Sequence, residues 1–296
     1  MAGKLAVSGN ISRADGETRS RFLYDGRMLL LEYDNVSVYR GETRALDRLT
    51  LNIRVGEHVA ILGPNGCGKS TLIKTFTREC YPASRDGEST LRILGQEAWD
   101  VTELRGMLGI VTNDLVDACT RGMSSDFAEI PRRVTARDTV VSGFFSSIGV
   151  WAHHHVTPEM TAKADALLER LGVAHLADRR LTEMSSGEVR RVVIARALVH
   201  DPSSLVLDEP TNSLDIRATY ELRDAVRGIA RSGMSVLLVT HHLPDIIPEI
   251  ERVILIKRGR VVQDGPKDEV LRSDTLSDLF GIPIEVGRRG DYYHAW

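Results

Sequence analysis

The stretch "GPNGCGKST", Gly63 to Thr71, constrains this chain more than any other, because the apolar run "HVAIL" leads directly into it and helix-forming residues follow it. Its form is G-x-x-x-x-G-K-S, and between a strand and a helix that spacing reads as a phosphate-binding loop. Gly63, Gly66 and Gly68 let the backbone curl until successive N–H groups point inward at phosphate oxygens. The helix start adds its positive dipole end. Lys69 sets a cation against the β- and γ-phosphates, and Ser70 offers a hydroxyl to Mg²⁺. Pro64, Asn65, Cys67 and Thr71 complete the cradle, with Cys67 reading as a small loop residue.

A loop of this kind needs a sheet behind it. The runs "HVAILG", "LGIVT", "SSLVLD", "SVLLVT" and "RVILIK" are short, rich in Val, Ile and Leu, and do not alternate with polar residues. Parallel strands buried on both faces have that texture. Helix-like segments such as Ser70 to Arg78 and Thr219 to Arg231 separate them, so the expectation is an α/β core. Ahead of the loop, from "MLLLEYDNVSVY" onward, apolar stretches bounded by Gly, Asn and Asp suggest an antiparallel β region. The interval of about 113–185 breaks the rhythm and reads as an inserted helical subdomain. Residues 1–27 are polar and dotted with Gly and Ser, as in a flexible lead-in, and about 266–296 form a C-terminal extension.

"SSLVLDEP" completes the chemistry. A buried strand delivers Asp208 to its carboxyl end, where a carboxylate can hold the shell of Mg²⁺. Glu209 follows at the polar edge and is the candidate general base for an attacking water. Two adjacent acids ending an apolar strand call for a cation or proton close by, since bare buried charge is costly.

The order "GPNGCGKST", "MSSGE", "LVLDEPTNSLD", "LLVTHH" resembles the ATP-binding-cassette ATPases, the nucleotide-binding domains of ABC transporters, over residues 28–296. The resemblance implies a P-loop NTPase fold with a RecA-like core, an N-terminal antiparallel β region and an inserted α-helical subdomain. It also implies an ATPase that uses ATP and Mg²⁺. In that family two domains dimerise head to tail with nucleotide between them, and the signature motif reads the ATP held by the other subunit. Ser185 and Gly187 fall at the signature serine and second glycine, at a helix start that Ser also favours as an N-cap. Along that helix Val189, Val192, Val193 and Ala197 share one face, with Arg190 and Arg191 off it.

Other positions carry over singly. Tyr39 resembles the aromatic that stacks on adenine, with Tyr33 a competing candidate. Asp215 in "SLD" matches the D-loop aspartate of the dimer interface, and His241 matches the switch histidine at the γ-phosphate, His242 being the alternative. Asn113 stands where the family has the Q-loop glutamine, keeping the amide one methylene shorter, for contact with Mg²⁺ or water. Ser186 replaces the first signature glycine and Glu188 the usual glutamine. The expected set for hydrolysis is Glu209, His241, Lys69 and Asn113; for Mg²⁺ it is Ser70, Asp208 and Asn113.

What the ATPase would serve follows from resemblance and exclusion together. "SDTLSDLFGIPIEVGRRGDYY" resembles the tails of ATPases serving iron-complex, vitamin B12 and molybdate-type uptake. The expectation is a dimeric ATPase, of two copies or of this chain with a related one, on the cytoplasmic face of a membrane, energising uptake of a metal oxyanion or metal complex through a separate permease. The rival is a cassette ATPase without a permease, acting on a nucleic-acid or protein client. A formal net charge of -3 gives no bulk attraction to nucleic acid. No apolar run reaches the roughly 18 residues of a membrane span. Cys67, Cys80 and Cys119 have neither disulfide nor zinc spacing, and the run His153 to His155 lacks a companion acid or cysteine, so it reads as surface.

Overall fold

The computed structural model describes residues 28–83, 88–121 and 134–296. The expected lead-in, 1–27, lies outside the described residues. Strands β1 (Leu29–Arg40), β2 (Thr43–Arg54), β3 (Val59–Leu62) and β4 (Thr90–Ile93) open the chain, with helix α1 (Lys69–Phe76) after β3. Next come α2 (Val101–Met107), β5 (Leu108–Val111), α3 (Asn113–Arg121), α4 (Ala136–Ser142), α5 (Pro158–Arg170) and α6 (Ser186–Ala197). Then follow β6 (Ser204–Asp208), α7 (Ile216–Arg231), β7 (Ser235–Thr240), β8 (Arg252–Lys257) and β9 (Arg260–Pro266). Short helices α8 (Lys267–Val270) and α9 (Ser273–Phe280) and the hairpin β10 (Val286–Arg289) and β11 (Tyr292–Ala295) close the chain.

Six strands form one sheet in the order β5-β6-β7-β3-β8-β9. The five runs read from sequence are its parallel members; β9 adds antiparallel to β8 at the edge. Burial explains their uniform apolarity. Ala60, Leu62, Leu205, Leu207, Val236 and Leu238 point into one apolar cluster, while Val59, Ile61, Val206, Leu237, Val239 and Ile254 point into another. Side chains alternate between faces, and here both faces are covered. The β9 strand, half-exposed throughout, alternates instead.

The three-stranded antiparallel sheet β2-β1-β4 covers the second cluster. Tyr33 belongs to it: the ring is fully buried and its hydroxyl bonds Thr75 in α1. Burial raises that phenol far above its ordinary value, outweighing the Thr75 bond. Tyr33 is therefore withdrawn as an adenine-stacking candidate, because no ligand can reach it.

Helices α4, α5 and α6 share the first cluster, through Val140, Leu168, Val192 and Ile194 among others. Their starts are chemically marked. Thr135 and Asp138 make a reciprocal capping box, and Thr157 accepts from the Met160 N–H ahead of Pro158. The histidine run lies in the turn before α5, not on a helix. His154 stacks on Phe145 at 4.1 Å between ring centroids, and its Nδ1 accepts from the Trp151 N–H at 3.1 Å. Desolvation and His153 lower its pKa. Among the described residues no three His, Cys, Asp or Glu side chains gather as a metal site, and no helix is long and apolar enough to cross a membrane.

Candidate functional site

The phosphate loop joins β3 to α1 at the centre of the large sheet. Gly66 and Gly68 take φ of 76° and 113°, which side-chain-bearing residues rarely adopt. Gly68 is also fixed by space: a Cβ there would lie 2.5 Å from the Ala45 carbonyl oxygen. It caps α1 without any side-chain bond, so the first-turn N–H groups have no capping acceptor from it. Lys69 is buried, and its Nζ donates to the carbonyls of Gly63 at 2.7 Å and Pro64 at 3.2 Å, folding the ammonium back over the loop. Ser70 is exposed beside it; Pro64 is half-buried and Asn65 exposed, and Cys67 and Thr71 are buried. Burial pushes the Cys67 thiol up, against the pull of Lys69.

Two neighbouring parallel strands bring the acids and the histidine to this loop. Asp208 ends β6, 9% exposed, and burial with the adjacent Glu209 pushes its carboxyl up to about 6 despite Lys69 nearby. Such a carboxyl lacks a full counter-charge, the situation a divalent cation would relieve. Glu209 has φ of 46°, and its N–H donates to the Val239 carbonyl at 2.7 Å, tying it to β7. Its Oε1 lies 3.5 Å from Lys69 Nζ and 3.0 Å from His241 Nδ1. That nitrogen is close but misaligned, leaving it buried without a hydrogen bond. The rings of His241 and His242 are 3.8 Å apart; burial, then His241, lower the pKa of His242.

Asn113 opens α3 and reaches the acids through a residue that sequence reading set aside. Arg190 is buried rather than solvated: it donates to Asn113 Oδ1 at 2.8 Å, to the Glu209 carbonyl at 3.4 Å and to the Asn212 carbonyl at 3.2 Å. Three carbonyl-type oxygens converge there, so a cation off the apolar stripe of α6 still has a buried place. The periodicity shows only that Arg190 is off the stripe. What it meets depends on the chain far away.

Ser185, Gly187 and Asp215 form a separate group. Ser185 and Glu188 make a capping box at the start of α6, with Ser185 N–H to Glu188 Oε2 at 2.8 Å. The Ser185 bonds hold the Glu188 carboxyl below its usual range. Asp215 caps α7, accepting from the Ala218 N–H at 2.7 Å. Gly187 packs against that same Ala218: a Cβ at Gly187 would lie 2.6 Å from its Cβ. Tyr39 is half-buried in β1, in register with Arg44, whose guanidinium lies 5.3 Å from the ring centroid and whose Nε donates to the hydroxyl at 2.6 Å.

The sequence-derived residues thus gather as Lys69, Asp208, Glu209 and His241, with Asn113 joined through Arg190. Also unforeseen is Asp245, buried behind His241 and bonded to Thr211 and Thr240.

The ABC transporter family model matches residues 46–212. The chain is similar to the ABC transporter ATP-binding protein YlmA of Bacillus subtilis (strain 168), 35% identical over 266 residues that cover 87% of this chain and 93% of YlmA. It is 32% identical to the hemin import ATP-binding protein HmuV of Bradyrhizobium diazoefficiens, covering 87% of this chain and 90% of HmuV. In structure it resembles a nucleotide-free ATP-binding cassette from an ABC transporter, with a TM-score of 0.68 at 23% identity, covering 86% and 96% of the two chains. It also resembles the dimeric bacterial cassette MJ0796, with a TM-score of 0.62 at 27% identity, covering 80% and 98%.

Proposed function

The chain belongs to the ABC transporter ATP-binding family, and on that premise we propose that it is the subunit that energises uptake of a metal complex or metal oxyanion through a separate membrane permease. It is an ATPase whose ligands are ATP and Mg²⁺. The observation that carries the reading of its site is the approach of Glu209 to both Lys69, at 3.5 Å, and His241, at 3.0 Å.

Placement supports each proposed role. Gly63, Gly66 and Gly68 turn backbone N–H groups toward the phosphates, and Lys69 counters their charge. Ser70, Asp208 and Asn113 are the candidates to hold Mg²⁺, which when bound neutralises charge growing on the transferred phosphate. The raised carboxyl of Asp208 fits that assignment. Glu209 accepts the proton of the attacking water, and His241, 3.0 Å away, orients it. Asn113, held by Arg190, faces the same corner. Tyr39 is the candidate adenine platform.

Ser185, Gly187 and Asp215 lie at the packed starts of α6 and α7, which suits contact with nucleotide held by a second copy. The dimeric MJ0796 cassette supports a head-to-tail pair. The permease would dock around Asn113 and the helical subdomain of about 113–185, on the cytoplasmic face. The hemin importer relative favours a metal complex over an oxyanion as cargo.

Glu209→Gln tests the reading. It keeps the size and polarity of the side chain while removing its basicity, so ATP hydrolysis should fall by roughly 100-fold or more with ATP binding intact. Recovered with Mg-ATP from gently solubilised membranes of its own organism, the variant should be dimeric and carry a polytopic membrane protein. A soluble dimer carrying ribosomes, DNA or a soluble client would overturn the transport reading in favour of a cassette ATPase without a permease.

A further inference from the structure

Behind the hydrolytic corner lies a buried carboxylate that contacts neither the phosphate loop nor Glu209. Asp245 sits in the short turn after His242 and is 3% exposed. One of its oxygens, Oδ2, accepts from two hydroxyls at once: Thr211 Oγ1 at 2.7 Å and Thr240 Oγ1 at 2.8 Å. Its other oxygen accepts from Arg223 at 3.3 Å.

The two threonines are placed tellingly. Thr211 lies two residues past Glu209, in the turn that leaves β6, and Thr240 is the last residue of β7, immediately before His241. Thr240 Oγ1 in turn accepts from the His242 N–H at 3.0 Å, so the backbone on both sides of His241 is held. A single carboxylate oxygen therefore clamps together the segments that deliver the general base and the orienting histidine. Those side chains approach to 3.0 Å.

Stability alone is a poor reason for this arrangement. A buried ion is costly to desolvate, and an apolar replacement of the whole cluster can be as stable or more so. What charge-assisted hydrogen bonds add is direction and a fixed length, here across two strand ends. Resting on the roles given above to Glu209 and His241, we propose that Asp245 is a positioning residue for hydrolysis: it sets the spacing of Glu209 and His241 by holding Thr211 and Thr240 in register. Asp245 touches no phosphate-binding group, so its work is confined to turnover and leaves ATP binding alone.

A double-mutant cycle separates this from a general structural role. Asp245→Asn and Thr240→Val are each made in the wild-type chain and in His241→Ala, and hydrolysis is followed in single-turnover experiments with radiolabelled ATP. Misplacing a reacting group by about 1 Å can cost on the order of 100-fold. In the wild-type background, each substitution should lower the rate constant by about 10-fold or more, with ATP affinity changed less than about 2-fold. In His241→Ala, the same substitutions should cost less than about 2-fold, since there is no histidine left to position. An undiminished rate in either variant, or an equal loss in both backgrounds, overturns the proposal. Thr240→Val removes one hydroxyl at nearly constant volume and serves where Asp245→Asn fails to fold. Glu209→Gln run alongside tells the two levels apart: were it to keep full turnover, the assignment of the site would fall rather than the role of Asp245.

Discussion

At Asp208 a single side chain ties stability to pH and to Mg²⁺. Burial and Glu209 raise its carboxyl from the ordinary 3.8 to about 6. Between those values the folded chain keeps a proton that the unfolded chain has released. Its contribution is therefore fully present below about pH 4 and is lost as pH rises through 6, the reverse of an ion-paired aspartate. At about 1.4 kcal/mol per pH unit the loss is roughly 3 kcal/mol. Denaturant unfolding at pH 5 and pH 7.5 without nucleotide should show the wild type losing about 1.4 kcal/mol relative to Asp208→Asn over that interval. With Mg-ATP the dependence should invert, because the metal needs the ionised carboxylate. Stabilisation by Mg-ATP should grow through pH 6 in the wild type and stay flat in Asp208→Asn.

At the scale of elements, the packing of α6 on α7 is what relates the signature serine to Asp215. The contact has no slack at Gly187, where a Cβ would meet the Ala218 Cβ at 2.6 Å. Gly187→Ala should force the two helix starts apart, costing about 1–3 kcal/mol in chemical unfolding. Adding Ala218→Gly should return much of that loss, since it removes the clashing atom. A failure of rescue would mean that the glycine is needed for its backbone instead. The same junction shows what a linear chain reveals. The phosphate loop, the acids at the end of β6 and the histidine after β7 are all legible, because each is a local signal at the end of an apolar run. Ser185 as a helix cap is legible too, because serine favours that position. Arg190, Asp245 and the pairing of Gly187 with Ala218 are not, since each is defined by residues distant in sequence. Tyr33 and Tyr39 look alike for the same reason: only the fold decides that one is core and the other half-buried.

For the whole molecule, the central question is whether the helical region and the antiparallel sheet unfold as one. Both rest on the same six-stranded sheet, and neighbouring residues of one strand feed opposite cores: Leu237 packs toward the antiparallel sheet, Leu238 toward the helices. The helices own no separate core, since Leu168 and Val192 share a cluster with Leu207 and Leu238. Loss of either layer would bare one face of a sheet that is apolar on both sides. Two tryptophans report on the two layers. Trp99 packs against the antiparallel-sheet cluster, its Nε1 donating to the Ile93 carbonyl at 2.7 Å, and Trp151 lies half-buried in the helical region. Chains that keep only one of them, with the others changed to Phe, should unfold at coincident denaturant midpoints. Leu238→Ala, which opens a cavity on the helical side only, should cost about 2–5 kcal/mol and move both midpoints together. If the Trp151 transition alone moved and came first, the helical region would be a unit that opens by itself. Movement of that region during ATP turnover would then be local unfolding rather than rotation of a rigid layer.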